Sequence, residues 1–201
     1  MKKLLLFVAS LIMAQQLHGQ SDTTIVLLSE IDSIIVQDVK YATTDNFTGV
    51  ILYPTAKVYL RKVVAEKLSA ANKFAKDNFG YSIKIFDGYR PRSVQYKMWE
   101  VYPDPNFVAD PKKGSRHNRG AAVDVTLVDK EGKELEMGTP YDTFEKAAHF
   151  ASSSISKTAR RNRDILRSVM VQFGFKGIST EWWHFDFIGW KKFSLLDIPI
   201  N

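Results

Sequence analysis

The chain has 201 residues, of which 45% are hydrophobic and 25% are charged, and it carries a formal net charge of +6. This size and composition suit one globular domain with a sizeable core, and they exclude disordered and fibrous proteins. Cysteine is absent, which excludes disulfides, thiolate metal sites and cysteine nucleophiles. A metal site must therefore use His, Asp or Glu. The four histidines are His18, His117, His149 and His184.

The N-terminus has the layout of a secretory signal peptide. A basic start is followed by an apolar run from Leu4 to Ala14 and then by polar and small residues up to Gly19. The apolar run has about 11 residues, whereas a membrane span needs roughly 20. An uncleaved anchor or a buried helix is the alternative. We predict a signal peptide over residues 1–19 and a mature domain over residues 20–201, exported to the periplasm without a membrane span.

The elements that follow alternate between helices and strands. Residues 22–41 contain short apolar patches that suit a strand or a helix. Apolar residues recur at helical spacing over residues 57–79, and Gly80 stands where a helix C-terminal glycine is expected. Residues 82–86 alternate between apolar and polar, which predicts a strand. The turn residues 87–91 then end it.

The second half of the chain continues in the same way. We predict a helix over 92–101, a loop over 102–119, a strand over 121–128, a helix over 160–173 and a strand over 182–187. No βαβ pattern repeats regularly. The fold class is therefore α+β, a single domain with helices packed on a mostly antiparallel sheet.

The first segment with candidate chemistry runs from Ser115 to Asp124 and reads SRHNRGAAVD. His117 lies in the loop before a strand, and Asp124 lies inside that strand. A carboxylate within an apolar run is costly unless it is paired or bound to a cation. The alternative is that Asp124 points to solvent from a half-exposed strand.

The second segment reads EWWHFD, from Glu181 to Asp186. On a regular strand Glu181 and His184 would face opposite sides. We expect a bend after Ser179 and Thr180 that brings both side chains to one site. The alternative is a packed core histidine and a surface glutamate.

Together the two segments offer His117, Asp124 and His184. Three nitrogen and oxygen ligands plus a water is the layout of a catalytic zinc site. Glu181 is the candidate that accepts a proton from the water and passes it to a leaving amine. His149 lies in a predicted helix without a partner motif, so we interpret it as structural.

Arg90 lies at the end of the predicted strand, in the sequence DGYRP. An arginine there can stabilise a developing oxyanion or bind a carboxylate through two hydrogen bonds. A surface ion pair with Asp87, worth little in stability, is an equally good interpretation.

Three motifs together resemble one known family. The segments GYRP, S-x-H-x-x-G-x-A-x-D and E-x-W-H look like those of the zinc D-alanyl-D-alanine peptidases, and most closely the D-alanyl-D-alanine dipeptidases. Residues 41–49, 87–95 and 137–142 agree with the same family. The resemblance extends from about Tyr41 to Phe187.

The resemblance implies one zinc ion per chain, at one end of the sheet, with His117, Asp124 and His184 as ligands. It also implies that Glu181 is the general base and acid, and that Arg90 stabilises the transition state.

Substrate binding is implied by the same resemblance. Ser115 and Asp142 would contact the termini of a small dipeptide, with Asp142 facing its free ammonium group. The loops over 41–49 and 137–142 would close the cavity and exclude longer peptides.

Three other functions are weighed against a D-alanyl-D-alanine dipeptidase. One is a D,D- or L,D-carboxypeptidase that trims peptidoglycan stem peptides. Another is a zinc-bearing binding module without hydrolytic activity, against which Glu181 and Arg90 argue. A nucleic-acid partner is not expected, because only the positive charge supports it and the basic run at 160–163 suits a solvated helix face.

Overall fold

A computed structural model describes residues 24–201, so the predicted signal peptide lies outside the described residues. Its helices are α1 (Leu28–Ile31), α2 (Lys62–Phe79), α3 (Arg92–Val101) and α4 (Lys157–Gln172). Its strands are β1 (Ile25–Leu27), β2 (Val36–Gln37), β3 (Tyr59–Arg61), β4 (Ser82–Asp87), β5 (Ala122–Val128), β6 (Phe175–Gly177) and β7 (His184–Phe187).

The larger sheet has five strands in the order β2-β4-β5-β7-β6, and β1 and β3 form a separate antiparallel pair. Only the pairing of β2 with β4 is parallel within the larger sheet. The long helices α2 and α4 pack against each other and against β4 and β5, respectively. This arrangement confirms the predicted α+β class with a mostly antiparallel sheet.

The helices predicted over 57–79, 92–101 and 160–173 are confirmed with small changes at the ends. α2 begins at Lys62, later than predicted, because residues 59–61 pair with β1 instead. It ends where expected, since Gly80 adopts the left-handed conformation with φ 72°. α4 begins earlier than predicted because the Ser156 hydroxyl accepts a hydrogen bond from the Ala159 N–H at the first turn.

β5 is the centre of the sheet and positions the candidate site. All seven of its residues are buried, since it lies between β4 and β7 with both faces covered. The alternative in which Asp124 points to solvent is therefore wrong: the residue is 3% exposed. A register shift between Ile85 and Asp87 places Asp87 opposite Asp124 across the β4–β5 pair.

One predicted element is wrong. The helix expected around His149 is only a 3₁₀ turn over Lys146–Ala148, which His149 follows. The His149 main-chain carbonyl oxygen accepts a hydrogen bond of 2.8 Å from Arg163 Nη1, and the His149 side chain is not among the donors that converge at the candidate metal centre.

Between residues 24 and 201, the helices lack the length and apolar character that a membrane crossing requires.

Candidate metal centre

Three side-chain atoms from two parts of the chain converge on one point. His117 Nε2 lies 3.1 Å from His184 Nδ1 and 3.4 Å from Asp124 Oδ1. The third edge of the triangle, from His184 Nδ1 to Asp124 Oδ1, is 3.0 Å. Tetrahedral zinc with bonds of about 2.0–2.1 Å keeps its ligand atoms about 3.4 Å apart. The donor set and its spacing therefore fit zinc.

The sheet register creates this convergence. Asp124 in β5 pairs directly with His184, the first residue of β7. His117 begins a 3₁₀ turn that leads into β5. Gly120 ends the turn with φ 64°, and a Cβ there would lie 2.7 Å from Ile25 Cδ1 and 3.2 Å from the Arg61 backbone nitrogen. Glycine is thus required both by conformation and by space.

The two imidazoles are held in opposite orientations. His117 turns Nε2 toward the other donors, while its Nδ1 lies 2.7 Å from the Gly88 carbonyl oxygen. His184 turns Nδ1 toward them, while its Nε2 lies 2.9 Å from Asp186 Oδ1. Each ring thus has an acceptor for the N–H that a metal-binding imidazole keeps.

Asp124 and His184 have strongly shifted pKa values. Burial raises the pKa of Asp124, but His117 and then His184 outweigh it and lower the pKa well below the usual range. Burial likewise lowers the pKa of His184, but its hydrogen bonds to Asp124 and Asp186 raise it to about 10. The Tyr141 hydroxyl donates to the remaining Asp124 oxygen, Oδ2, over 2.9 Å.

Glu181 lies beside the donors without belonging to them. Its Oε2 is 4.0 Å from His184 Nδ1, and the chain bends at Trp182 and Trp183 before β7 begins. The expected bend is therefore present, and the alternative with a surface glutamate is wrong. Burial raises the pKa of Glu181 to about 7, although His184 opposes the shift. A carboxyl group with this pKa both accepts and returns a proton near neutral pH.

Three hydrogen bonds hold the side chain of Arg90 in a fixed position. Its Nη2 and Nε lie 2.6 and 3.1 Å from Asp87 Oδ2, and its Nη1 donates to Gln95 Oε1 over 2.9 Å. The ion pair with Asp87 exists, but the surface interpretation is wrong because Asp87 is 0% and Arg90 8% exposed. These bonds use three of the five guanidinium N–H donors, which leaves two for a ligand.

Ser115 and Asp142 flank the donors. The buried Ser115 hydroxyl accepts a hydrogen bond from the His117 backbone N–H. Asp142 has a φ of 54° and accepts a 2.8 Å hydrogen bond from the Tyr41 hydroxyl. Burial and then the nearby Asp124 raise the pKa of Asp142 well above its usual range. A cationic group beside this carboxyl group would lower its pKa and favour the ionised form.

One cavity of about 150 Å³ contains the whole set. It is smaller than the roughly 300–1,000 Å³ of pockets for drug-sized ligands. Every candidate residue from the sequence lines it: Arg90, Ser115, His117, Asp124, Asp142, Glu181 and His184.

Known proteins share this sequence pattern. A sequence profile described as D-ala-D-ala dipeptidase matches residues 21–195. The D-alanyl-D-alanine dipeptidase of Escherichia coli is 40% identical over 167 residues, which cover 83% of this chain and 86% of that protein. The chain belongs to the D-ala-D-ala dipeptidase family. This is a family of metallopeptidases, so the chain is a member of an enzyme family, as the motifs predict.

Two further similarities accompany the family match. The D-alanyl-D-alanine dipeptidase of Enterococcus faecium is 36% identical over 179 residues, covering 79% of this chain and 88% of that protein. The solved structure of VanYB in complex with D-alanine-D-alanine aligns with a TM-score of 0.44 at 17% identity, over 67% of this chain and 74% of that chain.

Motif reasoning missed the residues that support the site in this member of the dipeptidase family. The Tyr53 hydroxyl donates to Asp87 over 2.8 Å, Tyr141 donates to Asp124, and Asp186 accepts from His184. The spacing of His184 and Asp186 in one strand was a signal for the last of these, because alternate residues share a face. Tyr141 lies in the segment 137–142 that was expected at the cavity, although its contact with Asp124 was not predicted. Tyr53 gave no signal, since its partner Asp87 lies 34 residues away in the chain.

Proposed function

We propose that this chain hydrolyses the dipeptide D-alanyl-D-alanine to two D-alanines, using one zinc ion. The observation that carries the proposal is the convergence of His117, Asp124 and His184 to within 3.4 Å, in a small cavity that Glu181 and Arg90 also line. The substrate is inferred from the names of the relatives in Escherichia coli and Enterococcus faecium.

The three ligands would hold zinc, which supplies Lewis acidity that polarises a carbonyl group and lowers the pKa of water to about 7. Glu181 accepts a proton from the attacking water as the new carbon–oxygen bond forms. It then donates that proton to the nitrogen of the leaving D-alanine as the peptide bond breaks. Its pKa of about 7 suits both steps.

Arg90 stabilises the negative charge that develops on the scissile carbonyl oxygen. Its guanidinium is fixed by Asp87 and Gln95 before the substrate binds, so little reorganisation is needed during the reaction. The guanidinium stays charged. Burial lowers the pKa of Arg90, but the nearby Asp87 opposes burial, and the pKa is raised well above its usual range.

The cavity also provides for the two ends of a dipeptide. Asp142 binds the free ammonium group through a charge-assisted hydrogen bond, and Ser115 binds the carboxylate end. The Tyr41 hydroxyl ties the two flanking loops together by its bond to Asp142. A peptide extended at its N-terminus has an amide in place of the ammonium group that Asp142 binds, and its extra residues meet Tyr41 and Phe47, which line the cavity.

The test is release of D-alanine from D-Ala-D-Ala by the purified protein. We expect turnover with one equivalent of zinc, loss of turnover after chelation, and recovery when zinc is returned. L-Ala-L-Ala serves as the matched substrate control. Stoichiometric zinc without any turnover would refute the proposal and favour a binding module.

We also propose that the protein acts in the periplasm. The support is the N-terminal pattern of a basic start, an apolar run and small residues over residues 1–19. Cell fractionation should place the protein in the periplasmic fraction, and N-terminal sequencing should show that residues 1–19 are absent. Recovery of the full-length chain in the cytosol would contradict this.

A further inference from the structure

Asp186 is a buried carboxylate for which the proposed mechanism has no use. It is 9% exposed, and its Oδ1 lies 2.9 Å from His184 Nε2. Nδ1 of the same His184 ring faces Asp124 and His117. Nε2 therefore lies on the opposite side of the ring. Asp186 therefore contacts His184 on the side of the ring opposite to the other two proposed metal ligands.

The fold keeps Asp186 in place. Asp186 and His184 are alternate residues of β7 and so share one face of the strand. The backbone of Asp186 is fixed on both sides, by pairing with Ala122 and with Lys176. Its second carboxylate oxygen, Oδ2, lies 3.5 Å from Arg116 Nε.

Arg116 is itself braced. Its guanidinium lies over the ring of Trp190, 4.8 Å from the ring centroid. The side chain is 46% exposed, so this end of the chain of contacts meets solvent. The contacts of Trp190 with Arg116, of Arg116 with Asp186 and of Asp186 with His184 thus lead from the surface to the ligand position.

We propose that Asp186 is a positioning residue, which holds His184 with Nδ1 toward the metal and thereby strengthens zinc binding. When Nδ1 binds the ion, Nε2 carries the ring proton, and Asp186 accepts it in a hydrogen bond. His117 is oriented by a main-chain carbonyl, that of Gly88, which no side-chain substitution removes. Asp186 is thus an orienting side chain within hydrogen-bond distance of a ligand imidazole, whereas the Asp87 carboxylate lies 3.7 Å from His117 Nδ1.

This inference rests on the metal-binding part of the proposed function and not on the substrate. The experiment therefore measures zinc affinity. Zinc is added to the metal-free mature protein, residues 20–201, in competition with a chelator. The variants are Asp186→Ala and Asp186→Asn. The control is Asp77→Asn, which removes the charge of an exposed carboxylate paired with Lys73 on α2.

We expect Asp186→Ala to weaken zinc binding by about 10–100-fold, the range typical for loss of such a partner. Asp186→Asn keeps an acceptor oxygen but loses the charge, so we expect a loss near the lower end, about 10-fold. Asp77→Asn should bind zinc like the wild type. In the zinc-loaded wild type, NMR should show a slowly exchanging Nε2 proton on His184 that Asp186→Ala lacks.

The outcomes separate the two proposals. Wild-type protein that does not bind zinc would overturn both this inference and the proposed function. Wild-type binding together with affinity in Asp186→Ala within twofold of it would overturn the positioning role alone. If the alanine variant does not fold, the isosteric asparagine variant decides by the same criterion.

Discussion

Three carboxyl groups share the small cavity, yet each has a different environment. Asp124 is buried, but two imidazoles lower its pKa, so it is ionised and ready to bind a cation. Burial and then Asp124 raise the pKa of Asp142, so its carboxyl group is protonated unless a cationic partner stabilises the ionised form. Glu181 lies between these extremes, with a pKa of about 7. Such separation of pKa values fits the proposed roles of the three groups as metal ligand, ammonium-binding group and proton carrier.

The role of Glu181 is tested by the substitution Glu181→Gln. We expect kcat to fall by about 10²–10⁴-fold, the usual contribution of general acid–base catalysis. Zinc content should remain stoichiometric, because Glu181 is not among the three converging donors. The measurements are D-alanine release and metal analysis. Glu134→Gln, which changes an exposed glutamate that pairs with Lys84, is the control. Activity retained in Glu181→Gln would remove this residue from the mechanism.

The role of Asp142 is tested by the substitution Asp142→Asn. Loss of a charge-assisted hydrogen bond costs about 1.5–3 kcal/mol, which corresponds to a roughly 10–150-fold lower kcat/KM for the free dipeptide. The loss should appear mainly in KM, since the ammonium group does not take part in the reaction. Steady-state kinetics check this. An unchanged KM would show that the ammonium group binds elsewhere.

The residues that converge on the cavity could be predicted from the sequence, whereas most residues that hold them in place could not. His117, Asp124, Glu181 and His184 lie in two short motifs, and scarce histidines made the set easy to recognise. Tyr141 lies in a segment expected at the cavity, but its hydrogen bond to Asp124 depends on how that segment folds against a residue 17 positions away. Nothing in the local sequence encodes that contact.

At the scale of elements, the β5–β7 pair determines the geometry of the site. Its register places Asp124 opposite His184, and the turn over His117–Arg119 delivers the third donor. Any change that shifts this turn relative to β5 separates the donors.

Gly120 provides the test at this scale. Gly120→Ala places a Cβ at a positive φ and against Ile25 and the Arg61 backbone. Gly132→Ala is the matched control, because Gly132 also has a positive φ (80°) but open space around it. The left-handed conformation alone costs about 1–2 kcal/mol, so both variants should lose that amount and Gly120→Ala more. Thermal unfolding and zinc affinity of both variants measure the difference. Equal losses would show that the close approach at Gly120 is unimportant.

The elements themselves were predictable in proportion to their length. α2 and α4 were found because several turns repeat the helical period, and α3 because Pro91 marks its start. The strands β1, β2, β3 and β6 have two or three residues each, too few to show a period. Their existence depends on pairing with residues distant in the chain.

At the scale of the whole molecule, zinc should contribute to stability because its proposed ligands come from two strands, β5 and β7, and from the turn before β5. A ligand at 100 times its Kd stabilises the folded state by about 2.7 kcal/mol. For a domain of this size, about 2–4 °C of Tm corresponds to each kcal/mol. Removing zinc should therefore lower Tm by roughly 5–11 °C. Differential scanning calorimetry with chelator, followed by zinc addition, measures this. An identical Tm in both states would contradict a structural link between the ion and the sheet.

The most direct test of the central claim compares free D-Ala-D-Ala with N-acetyl-D-Ala-D-Ala, using protein of known zinc content. Asp142 and the small cavity predict rapid release of D-alanine from the free dipeptide at one zinc per chain, and little release from the acylated compound. Cleavage of the acylated compound at least as fast as the free dipeptide would contradict the dipeptidase assignment and favour a carboxypeptidase.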